Sequence, residues 1–323
     1  MPLYIVAMRK LLLGCLLIAV VAPHLTAMGG AGKIQTVLVL YSNDRSLPAN
    51  MQVDERLRET LAVTTNLDLR YQTEYLDYPR YGDEADSSYD KLFSDFLRAK
   101  YASEPISVIV AGGPQAYRFL LRHQDDLFVH TPVIVAVAHS AFVDDPPTQA
   151  RFLDIPSKIE PRPTIELAMR LQPQASEILI VTGMSRFDRD WERNLRAMFA
   201  AWHAHPPVRY LAGLPLNDVL SQLSHLSRNT IVYSPGFQMG GGERAYNNRD
   251  VVRQMAEASS APLYSSYSTM INFGIVGGYI FQMADVGDQT GQVVQRILNG
   301  EALTQKDMPA ALPSHFVVDW RKM

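Results

Sequence analysis

The sequence has a single cysteine and no dense run of basic residues, and both scarcities narrow the classes of protein that it can encode. Cys15, the one cysteine, lies in an apolar stretch near the N-terminus, so the rest of the chain forms no disulfide. Since 47% of the residues are hydrophobic, a core of ordinary size does not need one. The 30 lysines and arginines are outnumbered by 33 aspartates and glutamates and form no patch, which argues against a nucleic-acid partner.

Sequence signatures of catalysis are also lacking. The chain contains no Gly-x-Ser-x-Gly, no His-Glu-x-x-His and no Walker loop, and Gly112-Gly113 lacks the third glycine of a dinucleotide fingerprint. His203 and His205 stand at the end of a predicted helix beside two prolines, where a solvated pair is the better interpretation than a metal site. We therefore predict a protein that is not an enzyme and has no metal and no cofactor.

The N-terminus has the three parts of a secretory signal peptide. Arg9-Lys10 is a positive region, residues 11–22 are an apolar run too short to span a bilayer comfortably, and Leu25-Thr26-Ala27 fits a cleavage site. We predict that residues 1–27 are removed and that the mature protein is periplasmic. The alternatives are a retained anchor helix and a lipid anchor at Cys15, although the apolar run continues past that cysteine, where a lipoprotein box should close it.

Four apolar segments share one pattern, which is a strand followed by a polar or glycine-rich turn. They lie near residues 36–41, 106–111, 177–182 and 230–234 and are rich in β-branched residues, as expected of strands buried on both faces of a parallel sheet. Helices are predicted after most of these turns. The pattern predicts an α/β protein with two doubly wound units, separated by a proline-rich link near 143–163.

The turn after the second of these strands is the most informative for function. Gly112 and Gly113 end the strand, and Pro114 suits the first turn of a helix because its missing N–H costs nothing there. Such a turn presents N–H groups beside the carboxyl end of a strand, where open α/β sheets bind small and often anionic ligands. We therefore predict a small-molecule site at this edge.

Seven segments between residues 36 and 320 resemble, in their order and spacing, segments of one protein family. They are Val37–Asn43, Phe152–Pro156, Ile178–Asp190, Ala261–Tyr264, Gly274–Gly278, Arg296–Gly300 and Phe316–Asp319. With these segments the chain resembles the substrate-binding proteins of ABC transporters, which have the type I periplasmic binding protein fold. It is also similar to the related sensor domains of bacterial histidine kinases.

The resemblance implies two Rossmann-like lobes joined by three crossovers, with a ligand in the cleft between them and closure of the lobes on that ligand. Lobe one is assigned to residues 34–143 plus 263–300, and lobe two to residues 150–260 plus 301–323. The sequence departs from the related sensor domains after the strand at 230–234. An Asp-x-x-Gly turn is frequent there in the relatives, and this chain has Pro235–Gly242 instead, which puts any contact of that aspartate in doubt.

The fold that the resemblance implies places the candidate ligand contacts in the turns at the carboxyl ends of strands in both lobes. In lobe one these are Ser42, Asn43, Gly113, Pro114, Gln115, Ala138 and His139. In lobe two they are Gly183, Met184, Phe187, Asp188, Tyr233 and Phe237, with Tyr264 and Ser265 at a crossover. Three of these have an alternative interpretation: His139 as an ordinary loop residue, Asp188 as a helix cap and Tyr233 as a packing residue.

The ligand predicted for this cleft is a small molecule with one carboxylate and an apolar or aromatic part. The helix start at 112–115 favours an anion, few lysines or arginines occur in the turns, and aromatic residues such as Phe187 and Phe237 are frequent there. We expect a monomeric solute-binding protein that serves an ABC permease. A ligand sensor that signals to a kinase is the alternative.

An enzyme of a different class is the third hypothesis. In a secreted α/β hydrolase, Ser42, Ser185 or Ser234 would be the nucleophile and His139 the base, although no nucleophile elbow surrounds any of these serines. The chain ends just past its last predicted strand, which fits a stand-alone binding protein and equally a segment of a longer receptor.

Overall fold

The computed structural model describes residues 34–63, 68–81, 88–136, 149–241 and 245–322. The predicted signal peptide, with Cys15, lies outside the described residues, and so do two of the candidate site residues, Ala138 and His139. The predictions made for these positions therefore stay predictions.

The first sheet has five parallel strands in the order β2-β1-β3-β4-β5. The strands are β1 (Gln35–Tyr41), β2 (Leu69–Tyr75), β3 (Val108–Gly112), β4 (Val133–Ala136) and β5 (Phe152–Asp154). The helices between them are α1 (Pro48–Val63), α2 (Tyr78–Tyr81), α3 (Ser88–Lys100) and α4 (Pro114–Arg122). Strand β1 shows why a continuous apolar run forms here, because Val37 and Val39 face one hydrophobic cluster while Leu38 and Leu40 face another.

The second sheet has six strands in the order β11-β10-β9-β8-β6-β7, and only β11 is antiparallel to its neighbour. Its strands are β6 (Glu177–Thr182), β7 (Val208–Ala212), β8 (Thr230–Tyr233), β9 (Leu263–Tyr264), β10 (Gly277–Phe281) and β11 (Ser314–Val318). The α-helices in this part of the chain are α5 (Pro161–Leu171), α6 (Arg186–Ala201), α7 (Leu216–Ser224), α8 (Asn248–Ala258) and α9 (Met283–Leu298). Short 3₁₀ helices occupy Ser268–Met270, Gln305–Asp307 and Trp320–Lys322.

The chain passes between the two sheets three times, and helix α9 accounts for two of these passages. The first passage follows β5, the second joins β10 to α9, and the third joins α9 to β11. Helix α9 packs against α1 of the first lobe at close range, since a Cβ at Gly287 would lie 2.5 Å from the carbonyl oxygen of Val53. This is the two-lobed α/β architecture predicted from the sequence.

Sheet membership differs from the predicted lobe boundaries in two places. Residues 263–281 were assigned to lobe one, but β9 pairs with β8 and β10 pairs with β11, so this segment lies in the second sheet and α9 alone returns to the first. Strand β5, predicted within the link and lobe two, pairs instead with β4 at the edge of the first sheet. In both places the strand has only two or three residues, and so short a segment has no hydrophobic pattern from which its neighbouring strand could be predicted.

Candidate functional site

A cleft lies between the carboxyl ends of the strands of the two sheets and is lined by both lobes and by the segments that connect them. It holds about 780 Å³ of atom-free space, counting the part open to solvent. Lobe one contributes residues of the β1–α1 and β3–α4 turns, and lobe two contributes Phe187 and the loop after β8. The lining residues are Ser42, Asn43, Leu47, Pro48, Ala49, Asn50, Gly112, Gly113, Pro114, Gln115, Ser157, Ile159, Phe187, Pro235, Gln238, Asn248, Tyr267, Thr269, Met270, Phe281 and Met283.

The start of helix α4 is built around the hydroxyl group of Ser42. Ser42 Oγ donates a hydrogen bond to Gly112 O (3.0 Å) and accepts one from the Ala116 N–H (2.9 Å), as a helix cap would. Gly113 has a φ of +100°, and a Cβ there would lie 2.6 Å from Ser42 Oγ. The turn therefore needs Ser42, because its hydroxyl group caps the N-terminus of α4 from a different segment of the chain. It also needs Gly113, because a larger residue at this position would collide with that hydroxyl group.

Few N–H groups at this helix start remain for a ligand, contrary to the expectation for an anion site. The Gly113 N–H is donated to Ala136 O, Pro114 has none, the Ala116 N–H goes to Ser42, and the Tyr117 N–H goes to Gly113 O. Among these residues only the backbone N–H of Gln115 has no described partner. One amide is a weak basis for binding a carboxylate.

The side chain of Gln115 is the most distinctive group of the lobe-one wall. The residue is only 4% exposed, and its Oε1 atom has no hydrogen-bond partner in the part of the chain that the structure describes. Asn50, which also lines the cleft, is satisfied by contrast: its Nδ2 donates to Asp44 O (2.9 Å) and Asn43 O (3.3 Å). Because buried polar groups are nearly always paired, the carbonyl oxygen of Gln115 needs explaining.

The lobe-two wall combines an aromatic ring with amide groups. Phe187, in the first turn of α6, packs edge-on against Trp191 with ring centroids 6.4 Å apart. The Oδ1 atom of Asn248, at the start of α8, accepts a hydrogen bond from the Phe237 N–H (2.9 Å), which ties α8 to the loop after β8. Gln238, from the same loop, is buried at the cleft.

The connecting segments contribute the rest of the apolar lining. Tyr267 and Met270 precede β10, while Phe281 and Met283 lie at the passage from β10 to α9. The hydroxyl of Tyr267 accepts a hydrogen bond from Trp191 Nε1 (3.2 Å), and burial raises the pKa of this tyrosine well above its usual value, so the group is neutral. These residues lie beyond the strand-end turns, and for this reason sequence reasoning missed most of them.

Asp188 lies next to the cleft, but its carboxylate is hydrogen-bonded to backbone groups of the protein. Its carboxylate accepts hydrogen bonds from the backbone N–H groups of Ser185 (3.0 Å), Gln238 (3.1 Å) and Met239 (3.1 Å). Burial raises the pKa of Asp188 to about 6, against the lowering effect of these bonds. The residue forms a capping box with Ser185 at the start of α6 and holds the loop after β8 in place. Of the two interpretations left open for Asp188, the capping role is the one that the structure supports.

The sequence-predicted site residues fall into three groups. The cleft is lined by Ser42, Asn43, Gly113, Pro114, Gln115 and Phe187. Away from its lining lie Gly183, Met184, Asp188, Tyr233, Phe237, Tyr264 and Ser265. Ala138 and His139 are outside the described residues.

Side chains of the second group serve the internal structure of lobe two. Tyr233 OH and Ser266 Oγ are 3.1 Å apart, and Ser265 Oγ donates to Ser234 O (2.7 Å). A Cβ at Gly183 would lie 2.2 Å from Met239 O, so this glycine makes room for the loop that Asp188 holds. None of these residues lines the cleft, and a contact between any of them and a ligand stays a prediction.

The described cleft lining carries no ionisable acid or base except the neutral phenol of Tyr267. The three candidate nucleophiles all have structural partners: Ser42 is described above, Ser185 Oγ accepts the Asp188 N–H, and Ser234 Oγ donates to Gly236 O. Within the described ranges, no group of three or more metal-ligating side chains comes together. In the same ranges, none of the helices combines the length and the apolar character that crossing a membrane requires.

Solved structures of two-lobed binding proteins superpose on most of the chain. One, an ABC domain in complex with L-Trp from Streptococcus pneumonia, is 16% identical, with a TM-score of 0.66 over 89% of this chain and 92% of that one. An ABC transporter solute-binding protein from Bacillus halodurans with bound myo-inositol is 12% identical, with a TM-score of 0.58 over 90% and 96%. A xylose-binding transcription activator is 11% identical, with a TM-score of 0.56 over 90% and 70%.

Sequence comparison adds nothing to these structural matches, since no protein-family model and no curated protein matches the chain. The structural neighbours named above are binding proteins and a regulator, and none is described as an enzyme. The chain therefore has the fold of ABC-transporter solute-binding proteins, the type I periplasmic binding protein fold, as its sequence predicted.

Proposed function

We propose that the chain is a solute-binding protein that captures one small molecule in the cleft between its lobes and delivers it to an ABC permease. The observation that carries this proposal is the cleft itself, in which side chains from both lobes and from the connecting segments converge at the carboxyl ends of two parallel sheets. The fold that it shares with solute-binding proteins supports the same function. Secretion to the periplasm by residues 1–27 is part of the proposal.

Contacts between the lobes support ligand-driven closure. Arg118 of α4 and Asp190 of α6 form a largely buried ion pair (3.4 Å) from opposite lobes. Asn247 donates a hydrogen bond to Ser46 O (3.2 Å), again from one lobe to the other. A ligand that touches both walls would favour this arrangement by its differential affinity for it.

The ligand in this proposal has an apolar or aromatic part, which Phe187, Tyr267 and Phe281 would contact. The carboxylate predicted from the sequence has less support, since the helix start offers one N–H and the described lining offers no lysine or arginine. The fold alone does not choose a ligand class, because the neighbours named above bind an aromatic amino acid in one case and a polyol in another.

A thermal-shift screen tests the proposed function. We expect at least one member of a panel of amino acids, aromatic acids, aromatic amides, nucleosides and sugars to stabilise the protein, by about 2.7 kcal/mol at a hundredfold excess over Kd. Replacing Phe187 with alanine should lower the affinity for that ligand about tenfold. The complex would lose about 0.5–1.5 kcal/mol of aromatic stacking, and the ligand would bury less apolar area.

The matched control is Phe96→Ala, which removes a ring of α3 that is 44% exposed on the outside of lobe one. Its affinity for the same ligand should equal that of the wild type. A panel without a single hit would count heavily against solute binding, and equal affinities of the wild type and Phe187→Ala would show that the ligand sits elsewhere.

A ligand sensor in a signalling system is the second candidate. The same fold occurs in a transcription activator that binds xylose, so closure on a ligand is compatible with regulation as well as with uptake. Neighbouring genes distinguish the two: a permease and an ATPase indicate transport, whereas a kinase or a response regulator indicates sensing.

A further inference from the structure

The buried carbonyl oxygen of Gln115 is a hydrogen-bond acceptor that the protein leaves unused. The residue belongs to the cleft lining, is 4% exposed, and its Oε1 atom has no partner within the described residues. A buried acceptor without a donor carries a desolvation cost, and a hydrogen bond from a ligand would offset that cost. An acceptor of this kind in a binding cleft is explained if the ligand supplies the donor.

Charge is the second feature that constrains the ligand. The described lining consists of apolar side chains, hydroxyl groups and the amides of Asn43, Asn50, Gln115, Gln238 and Asn248, with no lysine, arginine, histidine, aspartate or glutamate. A buried ionic group is costly unless an opposite charge or several hydrogen bonds compensate it. Arg118 of α4 and Asp190 of α6 do not line the cleft and are paired with each other.

We propose that the cleft selects an uncharged ligand that donates a hydrogen bond to Gln115 Oε1 and places an apolar ring against Phe187 and Tyr267. Gln115 is then the residue that determines specificity, and aromatic carboxamides and nucleosides are the chemical classes that fit. This inference rests on the proposed solute-binding function and replaces the carboxylate of the sequence prediction. It follows from the cleft lining and from the unpaired oxygen, which are independent observations.

The experiment compares matched pairs, each consisting of an uncharged probe and a related anion. Indole-3-acetamide is paired with indole-3-acetate, phenylacetamide with phenylacetate, and adenosine with adenosine monophosphate, and each is titrated calorimetrically into the whole protein. We expect the uncharged member of at least one pair to bind about tenfold or more tightly than its anion. Where the bound probe is a carboxamide, dimethylation of its amide nitrogen removes the two amide N–H donors and should weaken binding by a similar factor.

The variant Gln115→Met keeps the length of the side chain and removes the acceptor. We expect it to bind the uncharged probe about tenfold more weakly, while the unliganded variant melts at the same or a higher temperature because the unpaired oxygen is gone. A residue with a purely structural role would instead lower the melting temperature when replaced. Gln222→Met, on the exposed face of α7, is the matched control and should change neither value.

The outcomes separate the two proposals. Tighter binding of the anion in every pair, or an unchanged affinity of Gln115→Met for the uncharged probe, overturns the inference and leaves the solute-binding function standing. If neither these probes nor any member of the wider panel binds, both proposals fail together.

Discussion

Replacing Asp188 with alanine is expected to lower the free energy of unfolding by about 3–5 kcal/mol, the largest single effect that the structure predicts. The side chain is 1% exposed, and its carboxylate accepts the backbone N–H groups of Ser185, Gln238 and Met239. In the variant these three donors lose their acceptor in an environment with little water. The free energy is measured by urea denaturation of the wild type and the variant.

The control for this prediction is Asp95→Ala. Asp95 lies on α3 with its side chain 53% exposed and forms a surface ion pair with Arg98, so its loss should cost less than about 1 kcal/mol. Equal costs for the two replacements would contradict the role assigned to Asp188. Because Pro235 and Gln238 line the cleft and belong to the loop that Asp188 holds, the variant should also bind its ligand more weakly.

The second large effect is expected for Gly113→Ala, at about 2–4 kcal/mol of stability. An alanine at a φ of +100° is strained, and its Cβ would lie 2.6 Å from the hydroxyl oxygen of Ser42. That hydroxyl then has to move from its bonds to Gly112 O and the Ala116 N–H, so the start of α4 loses its cap. Gln115 follows two residues later, and ligand affinity should fall together with stability.

Gly300→Ala separates the two causes of that destabilisation. Gly300 ends helix α9 with a φ of +88°, and a Cβ there meets nothing within 4 Å. In this variant the backbone is strained but the new Cβ collides with no other atom, and we expect the free energy of unfolding to fall by about 1 kcal/mol. If Gly113→Ala proves no more costly than Gly300→Ala in parallel urea denaturation, the contact between Ser42 and the glycine turn is not what fixes the start of α4.

The sequence predicts the strands of this fold well because their signal is local. Segments such as 36–41 and 177–182 are apolar on both faces, and a parallel sheet covered on both sides by helices requires that pattern. The lobe to which a short strand belongs is not a local property. Strands β5 and β9 have three and two residues, and their partners are set by tertiary pairing that no periodicity encodes.

The candidate site shows the same division between local and tertiary information. Ser42, Gly113 and Gln115 follow directly after strands, so the rule that ligands bind at the carboxyl ends of strands finds them. The rule also selects Asp188, but it does not predict that this carboxylate accepts hydrogen bonds from the backbone of a loop 50 residues away in sequence. It misses Tyr267, which reaches the cleft from a segment between two short strands of lobe two.

Amide hydrogen exchange with and without a ligand from the panel tests the central claim most directly. If one small molecule is held between the lobes, its binding should slow exchange in segments 112–117 and 235–241 together, because these lie on opposite walls of the cleft. The amides of α7, remote from the cleft lining, should not change. Protection confined to one lobe, or centred on the neighbouring hollow lined by Arg162, Asn194 and Met198, would contradict the claim that the ligand binds in this cleft.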